Sequence, residues 1–166
     1  DEVYDTMTTI GQATGMTKEA DEMVQTMKDE VTAIQEKAST IETKKKVFAE
    51  ISPAPEIYTA GNNTFMNEMI EILNAENIAS DLEGWIMMDP EEIVKRNPDV
   101  ILTTYGNYVP NAAEQVLTRE GFGSVTAVKN KAVIDVDADT TSRQGPRLTE
   151  GLLELAKAIH PEVFSE

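Results

Sequence analysis

The chain has 166 residues, enough for one domain and too few for two large ones. Its 14 Lys/Arg against 30 Asp/Glu give a formal net charge of −16, which argues against a nucleic-acid binder or a polybasic membrane-surface protein, since both need Lys/Arg opposite phosphates. With no Cys and one His, disulfides, thiolate metal sites, cysteine nucleophiles and multi-histidine metal centres are excluded. Hydrophobic residues make up 40% of the chain, enough for a core. No run approaches the ~18 apolar residues of a membrane span. No signal peptide is visible, and the chain opens at Asp1 inside a helical pattern.

Residues 3–13 read as a short helix (Val3, Met7, Ile10). Thr17, followed by Glu19 and Asp21, reads as the N-cap of a second one. Apolar residues then recur on one helical face at Ala20, Met23, Met27, Val31, Ile34, Ala38 and Ile41, and Lys44-Lys45-Lys46 suits a helix end. The spacing predicts a helix of about 25–30 residues, roughly 40 Å long. From Val47 the pattern alternates. Residues 47–51 read as a strand, 57–59 as a short extended piece, and 65–73 as a helix capped by Asn63 or Thr64. Residues 77–79 are again extended. Asp89-Pro90-Glu91-Glu92 starts a helix that Asn97-Pro98-Asp99 ends. Val100 to Thr104 suits a buried parallel strand, 110–119 a helix, 132–136 a strand and 148–159 a final helix. This order predicts an α/β fold: a three-layer α/β/α sandwich with a mainly parallel central sheet, preceded by a long connecting helix.

Open parallel sheets bind ligands beyond the C-terminal ends of their strands. The loops expected there are 59–64, 84–88, 105–110 and 137–145. They contain Asn62, Asn63, Trp85, Tyr105, Tyr108, Asp139 and Arg143, a recognition composition of flat aromatics, amides and one guanidinium. Polar loops need no ligand to explain them, and both readings stand at this point. Catalytic patterns are missing: there is no Walker loop and no nucleophile elbow. His160 ends the last helix before Pro161 and reads as a helix-terminal cation or cap. Glu91 and Glu92 fit the dipole of their helix. Asp135-Val136-Asp137-Ala138-Asp139 lacks the glycine and distal glutamate of a calcium loop. No catalytic or metal-ligating residue is assigned.

Several stretches carry a resemblance when taken in order. They are Tyr58 through Gly61-Asn62-Asn63-Thr64 to Ile70, Asn74 to Ile78, Asp89-Pro90-Glu91-Glu92 through Asn97-Pro98-Asp99 to Thr104, and Val125 to Lys131. The last is Arg143 to Leu152 with Ile159-His160-Pro161. Across residues 1–164 the chain resembles the C-terminal lobe of the substrate-binding proteins that deliver ferric siderophores, haem or cobalamin to ABC importers. In that family one long helix joins two α/β lobes. The resemblance makes residues 1–46 the connecting-helix region and 47–166 the ligand-binding lobe. It also implies that the N-terminal lobe, and the signal peptide with its lipid-bearing Cys, lie outside this sequence, as in a truncated piece of a Gram-positive member.

The resemblance implies capture and hand-over rather than catalysis, in an extracytoplasmic, lipid-anchored monomer. The implied partners are a metal-chelate small molecule and the importer's permease subunits, with iron present only inside the bound chelate and no cofactor. Glu91 matches the surface glutamate that meets permease arginines, a geometry a carboxylate suits well. A ferric siderophore is the first expectation for the cargo, with Arg143 as its candidate cation. Trp85, Tyr105 and Tyr108 could stack on a flat or apolar ligand, which makes cobalamin the alternative; no His lies in these loops, and Tyr105, Tyr108, Met87 and Met88 keep haem open behind it. An enzyme of a related two-lobed fold would need cluster cysteines or a loop histidine. A sensor module of a larger receptor is the third reading.

Overall fold

The computed structural model describes residues 2–165. Helices α1 (Glu2–Thr14) and α2 (Thr17–Ala38) form a hairpin. Strand β1 (Lys46–Glu50) follows, then β2 (Tyr58–Ala60), α3 (Phe65–Ile72), β3 (Glu76–Asn77) and β4 (Trp85–Met87). Next come α4 (Pro90–Arg96), β5 (Val100–Thr103), α5 (Ala112–Leu117), a 3₁₀ turn at Phe122–Ser124 and α6 (Thr126–Lys129). The chain continues through β6 (Val133–Asp135), α7 (Ala138–Thr141), α8 (Leu148–Ile159) and α9 (Pro161–Phe164).

The central sheet has four parallel strands in the order β3-β1-β5-β6. Strand alternation sends its side chains into two separate cores. Val47, Ala49, Val100 and Leu102 pack with α2, α3 and α8 through Ile34, Ala38, Met66, Ile70, Leu152 and Leu155. Phe48 and Ile101 point the other way, against Ile93, Val116, Phe122 and Val125. Every residue of β5 is buried because helices cover both faces. The three-layer α/β/α sandwich is therefore the observed architecture.

Local chemistry sets several boundaries as the sequence implies. Thr64 caps α3, its Oγ1 accepting from Asn67 N at 3.2 Å. Pro90 opens α4, acids occupy its first turn, Lys95 and Arg96 its last, and Asn97 ends it in the left-handed conformation.

Other boundaries differ from expectation. α2 stops at Ala38 after 22 residues, not at residue 46. Ser39 and Thr40 turn their hydroxyls back onto Glu36 O (2.6 Å) and Lys37 O (2.8 Å), and Asn74 Nδ2 takes Ile41 O at 2.8 Å; these bonds compete with a further helical turn. Lys45 and Lys46 consequently leave the helix: Lys45 Nζ bonds Glu162 (2.9 Å), and Lys46 opens β1. Thr17 is the first helical residue rather than the cap, a position that Met16 holds without a side-chain bond. The expected helix at 110–119 shrinks to α5 and the strand at 77–79 to β3, while α6, α7 and α9 were not anticipated.

Two contacts tie the outer helices together. At Gly11 an added Cβ would lie 2.3 Å from Ala20 Cβ, so α1 reaches α2 only because no side chain intervenes. His160 is fully buried, and its Nε2 lies 2.9 Å from Leu73 O, linking the end of α8 to the end of α3. Burial first, and the nearby Lys45 charge second, hold its imidazole below the ordinary value. Its Nδ1 sits 3.5 Å from Glu162 Oε1. Of the expected helix-terminal cation or cap, the structure gives the cap: His160 is the C-cap of α8, with its ring in the interior rather than in solvent.

Gly11→Ala is expected to lower stability by about 1–3 kcal/mol, the usual range for forced overpacking, measured by urea unfolding. Because the folded state holds His160 below the unfolded value of about 6.5, the unfolded chain takes up the extra proton as pH falls. Stability is therefore expected to drop as pH descends through about 6.5 and to be level above it. In His160→Gln that step between pH 7.5 and 5.5 should vanish, read as urea midpoint against pH.

Candidate functional site

The four parallel strands end on one side of the sheet, the side at which open parallel sheets generally bind ligands. β2 returns to it directly: Ile51 N, just past β1, donates to Tyr58 O at 2.8 Å. β2 pairs antiparallel with β4 as a separate two-stranded ribbon, in the register Tyr58 to Met87, Thr59 to Ile86 and Ala60 to Trp85. Within the expected loop 84–88, Trp85–Met87 is therefore a strand. Opposed residues share a face, so Tyr58, Trp85 and Met87 lie together on the outer side. They are 42%, 49% and 58% exposed, an unusual density of large apolar side chains in water. Trp85 is braced by Phe65, their rings 5.7 Å apart and tilted by 56°. Tyr58 escapes sequence reasoning because its neighbours appear only once β2 and β4 are paired.

Asn62 and Asn63 follow the ribbon and are exposed. Asn62 Oδ1 accepts from Asn63 N at 2.9 Å, and Asn63 Nδ2 donates to Glu83 Oε1 at 2.5 Å. Gly61 N to Gly84 O (2.8 Å) and Asn62 N to Leu82 O (2.6 Å) fasten this end of the ribbon. Both amides thus stand beside Trp85, with Glu83 as an unanticipated acid among them.

Tyr105 is corrected by its burial. It is 1% exposed and offers no ring face to a ligand. Its hydroxyl donates to Glu50 Oε1 at 2.5 Å. Glu50 also receives Arg119 through two bonds, Nη1 to Oε2 at 2.8 Å and Nη2 to Oε1 at 2.6 Å. Burial, then the Glu50 carboxylate, push the Tyr105 hydroxyl far above the ordinary phenol range, so it remains a donor. Burial opposes the Arg119 charge, and Glu50 outweighs it. The guanidinium also lies 4.7 Å from the Phe122 ring centroid. Tyr108, three residues on, is 63% exposed, its ring 6.3 Å from that of Tyr105. The sequence holds one sign of the buried network: Glu50 directly follows the apolar run Val47-Phe48-Ala49.

Asp139 and Arg143 lie in and after α7 and pair with each other, Oδ1 to Nη2 at 2.9 Å. Both are exposed, so the pair is weak and an anion could draw the guanidinium away. The site residues thus form three groups: Asn62, Asn63 and Trp85; Tyr105 with Tyr108; and Asp139 with Arg143. Among the described residues no hydrogen bond, ion pair or ring contact joins one group to another. A cavity of about 450 Å³ between the α1–α2 hairpin and α3/α8 is lined by Asn63, Phe65, Met27 and Gln144. Of the expected site residues, it touches Asn63 alone.

Glu91 is exposed in the first turn of α4. Its neighbour Glu92 is bound by Arg96 (2.8 Å) and Lys95 (3.3 Å), and Arg96 also grips Asp81 and Ile78 O. Among the described residues no cation pairs with Glu91. No group of three or more His, Asp or Glu among them is arranged to hold a metal ion.

The family described as periplasmic binding protein matches residues 1–140. The chain is 48% identical over 167 residues to an uncharacterized ABC transporter substrate-binding lipoprotein of Bacillus subtilis, YvrC, covering 99% of this chain and 52% of that protein. It is 28% identical over 166 residues to a cobalamin-binding protein of Halobacterium salinarum, covering 96% and 44%. The crystal structure of a possible iron-binding (periplasmic solute-binding) protein from Staphylococcus epidermidis superposes with a TM-score of 0.88 at 42% identity, over 96% of this chain and 62% of that one. The chain spans about half the length of the curated relatives it matches. With the match over residues 1–140, the chain belongs to the periplasmic binding protein family.

Proposed function

We propose that this chain is the C-terminal lobe of an extracytoplasmic substrate-binding protein that hands a ferric siderophore to an ABC importer. The observation that carries this reading is the coincidence of an exposed apolar ribbon face and an unpaired carboxylate on one edge of the sheet. Tyr58, Trp85 and Met87 supply contact area for a large ligand. Arg143 supplies a cation held only by an exposed partner. Glu91 supplies a free carboxylate for a permease arginine. In this reading residues 1–46 connect to a second lobe and residues 47–166 form half of the cleft. The cargo's iron arrives inside its chelate, the protein works as a monomer, and no step requires catalysis. The name of the S. epidermidis neighbour supports iron, and that of the B. subtilis relative supports a lipid-anchored protein outside the cell membrane. Cobalamin is the second reading, supported by the name of the H. salinarum relative and by the aromatic face, which needs no charge in its ligand. Haem is the third, with Tyr58, Tyr108 and Met87 as exposed groups able to meet iron.

The full-length two-lobed protein is expected to bind one of four probes saturably: a ferric hydroxamate, a ferric catecholate, cyanocobalamin or haem, followed by tryptophan quenching and calorimetry. Trp85→Ala should weaken that binding by about tenfold, the scale of one lost aromatic contact. Absence of binding across the panel by folded protein would overturn the chelate reading. Glu91→Ala should leave ligand affinity unchanged and cut ligand-stimulated ATPase activity of the reconstituted cognate importer. Unchanged stimulation would remove Glu91 from the docking surface.

A further inference from the structure

Tyr108 projects into water, yet the turn that carries it is fastened from several directions. Thr104 N donates to Glu50 O at 3.2 Å, and Tyr108 N and Val109 N donate to Tyr105 O at 3.2 and 2.9 Å. Tyr105 is anchored from inside through its hydroxyl bond to Glu50. On the other flank, Asp135 Oδ1 accepts from Gly106 N at 3.1 Å and from Thr103 Oγ1 at 2.6 Å. A Cβ at Gly106 would fall 1.7 Å from Asp135 Oδ2, so the carboxylate reaches the backbone only because residue 106 is glycine.

The anchor itself is a poor means of gaining stability. Glu50 is 0% exposed, and a buried ion pair generally stabilises a fold no better than well-packed apolar side chains of the same volume. What the pair supplies is a fixed geometry. Glu50 has two oxygens, and Arg119 and Tyr105 between them occupy both. The end of β1, the turn at 104–109 and the segment after α5 are thereby locked to one another.

We infer that Tyr105, held by Glu50 and Arg119, is the positioning residue that presents Tyr108 to the ligand as a pre-ordered ring. The inference rests on the ligand-edge reading of the preceding section and adds how that edge is kept rigid. A ring fixed in advance loses less conformational freedom on binding than one that must be ordered by its ligand. Tyr105 acts through Tyr108 and through no contact of its own. Tyr105→Phe removes only the hydroxyl bond and leaves the Glu50–Arg119 pair intact.

The test uses the full-length protein labelled with 3-fluorotyrosine, the Tyr108 resonance being assigned with Tyr108→Phe. In the wild type the Tyr108 fluorine signal should be shifted from the free amino acid. In Tyr105→Phe it should move to the solvent-averaged position while the protein stays folded. Asp135→Ala, which releases the opposite flank of the turn from an exposed position, should do the same and serves if Tyr105→Phe does not fold. With ferrioxamine B and cyanocobalamin as probes, Tyr105→Phe should weaken whichever binds by about three- to tenfold, as expected when one side chain must be ordered on binding. The Tyr105→Phe/Tyr108→Ala double variant should bind no more weakly than Tyr108→Ala alone. An unmoved fluorine signal in both turn variants, or affinity losses that add, would overturn the inference. If neither probe binds the wild type, the ligand reading is in question while the fluorine signal still decides the positioning role.

Discussion

A parallel sheet cannot leave a face in water, because its crossover connections lay helices on both sides and its strands become apolar throughout. That constraint governs this molecule. β1 and β5 divide their side chains between two cores, one closed by α2, α3 and α8 and the other by α4, α5, α6 and the 3₁₀ turn between them. Both faces are mainly apolar, and the polar groups they bury are paired internally, as Glu50 is with Arg119 and Tyr105. Exposed polar and aromatic groups concentrate at the ends of the strands, where the chain changes direction and backbone groups need partners in any case. The exposed aromatics, the two asparagines, the Asp139–Arg143 pair and the free Glu91 all lie in segments that meet or leave those ends.

The charge pattern around α4 follows from the same logic. Arg96, at the far end of a seven-residue helix, reaches Glu92 one turn back and Asp81 on the neighbouring loop. It thereby collects the acids on its own side of the helix. Glu91 is rotated about 100° from Glu92, beyond that grasp. A carboxylate left unpaired in the helix's first turn is stabilised by the helix dipole. Glu91 is exposed and without a cationic partner among the described residues.

Much of this was legible in the sequence where the cause is local. The start of α4 at Asp89-Pro90, the Thr64 cap and the apolar run of β5 depend on residues within one turn or one strand of each other. The legibility fails where the cause is distant. The ribbon of β2 and β4 joins residues some twenty-five to thirty positions apart, so residues 84–88 looked like a loop and Tyr58 had no visible neighbours. Glu50 and Arg119 are separated by 69 positions, and without that pair Tyr105 resembles any other loop tyrosine. The end of α2 was misplaced for the same reason. The apolar period persists to Ile41, but Asn74 supplies a competing bond from across the fold. His160 reads as a helix-terminal cation or cap and is the C-cap of α8, but a chain position before Pro161 does not reveal that its ring is buried against Leu73 O.

The separation of the β2–β4 ribbon from the main sheet bears on how such a lobe can change over evolutionary time. Thr59 faces inward and is constrained by what lies beneath it, whereas Tyr58, Trp85 and Met87 lie on the opposite face and contribute little to the cores. Substitutions on that outer face leave the folded scaffold nearly untouched, since surface changes seldom alter stability by more than about 0.5 kcal/mol. The outer face of the same backbone can then be re-lettered one side chain at a time, with no intermediate that fails to fold. A lineage carrying this fold can vary what the ribbon presents to solvent while the scaffold behind it stays as it is.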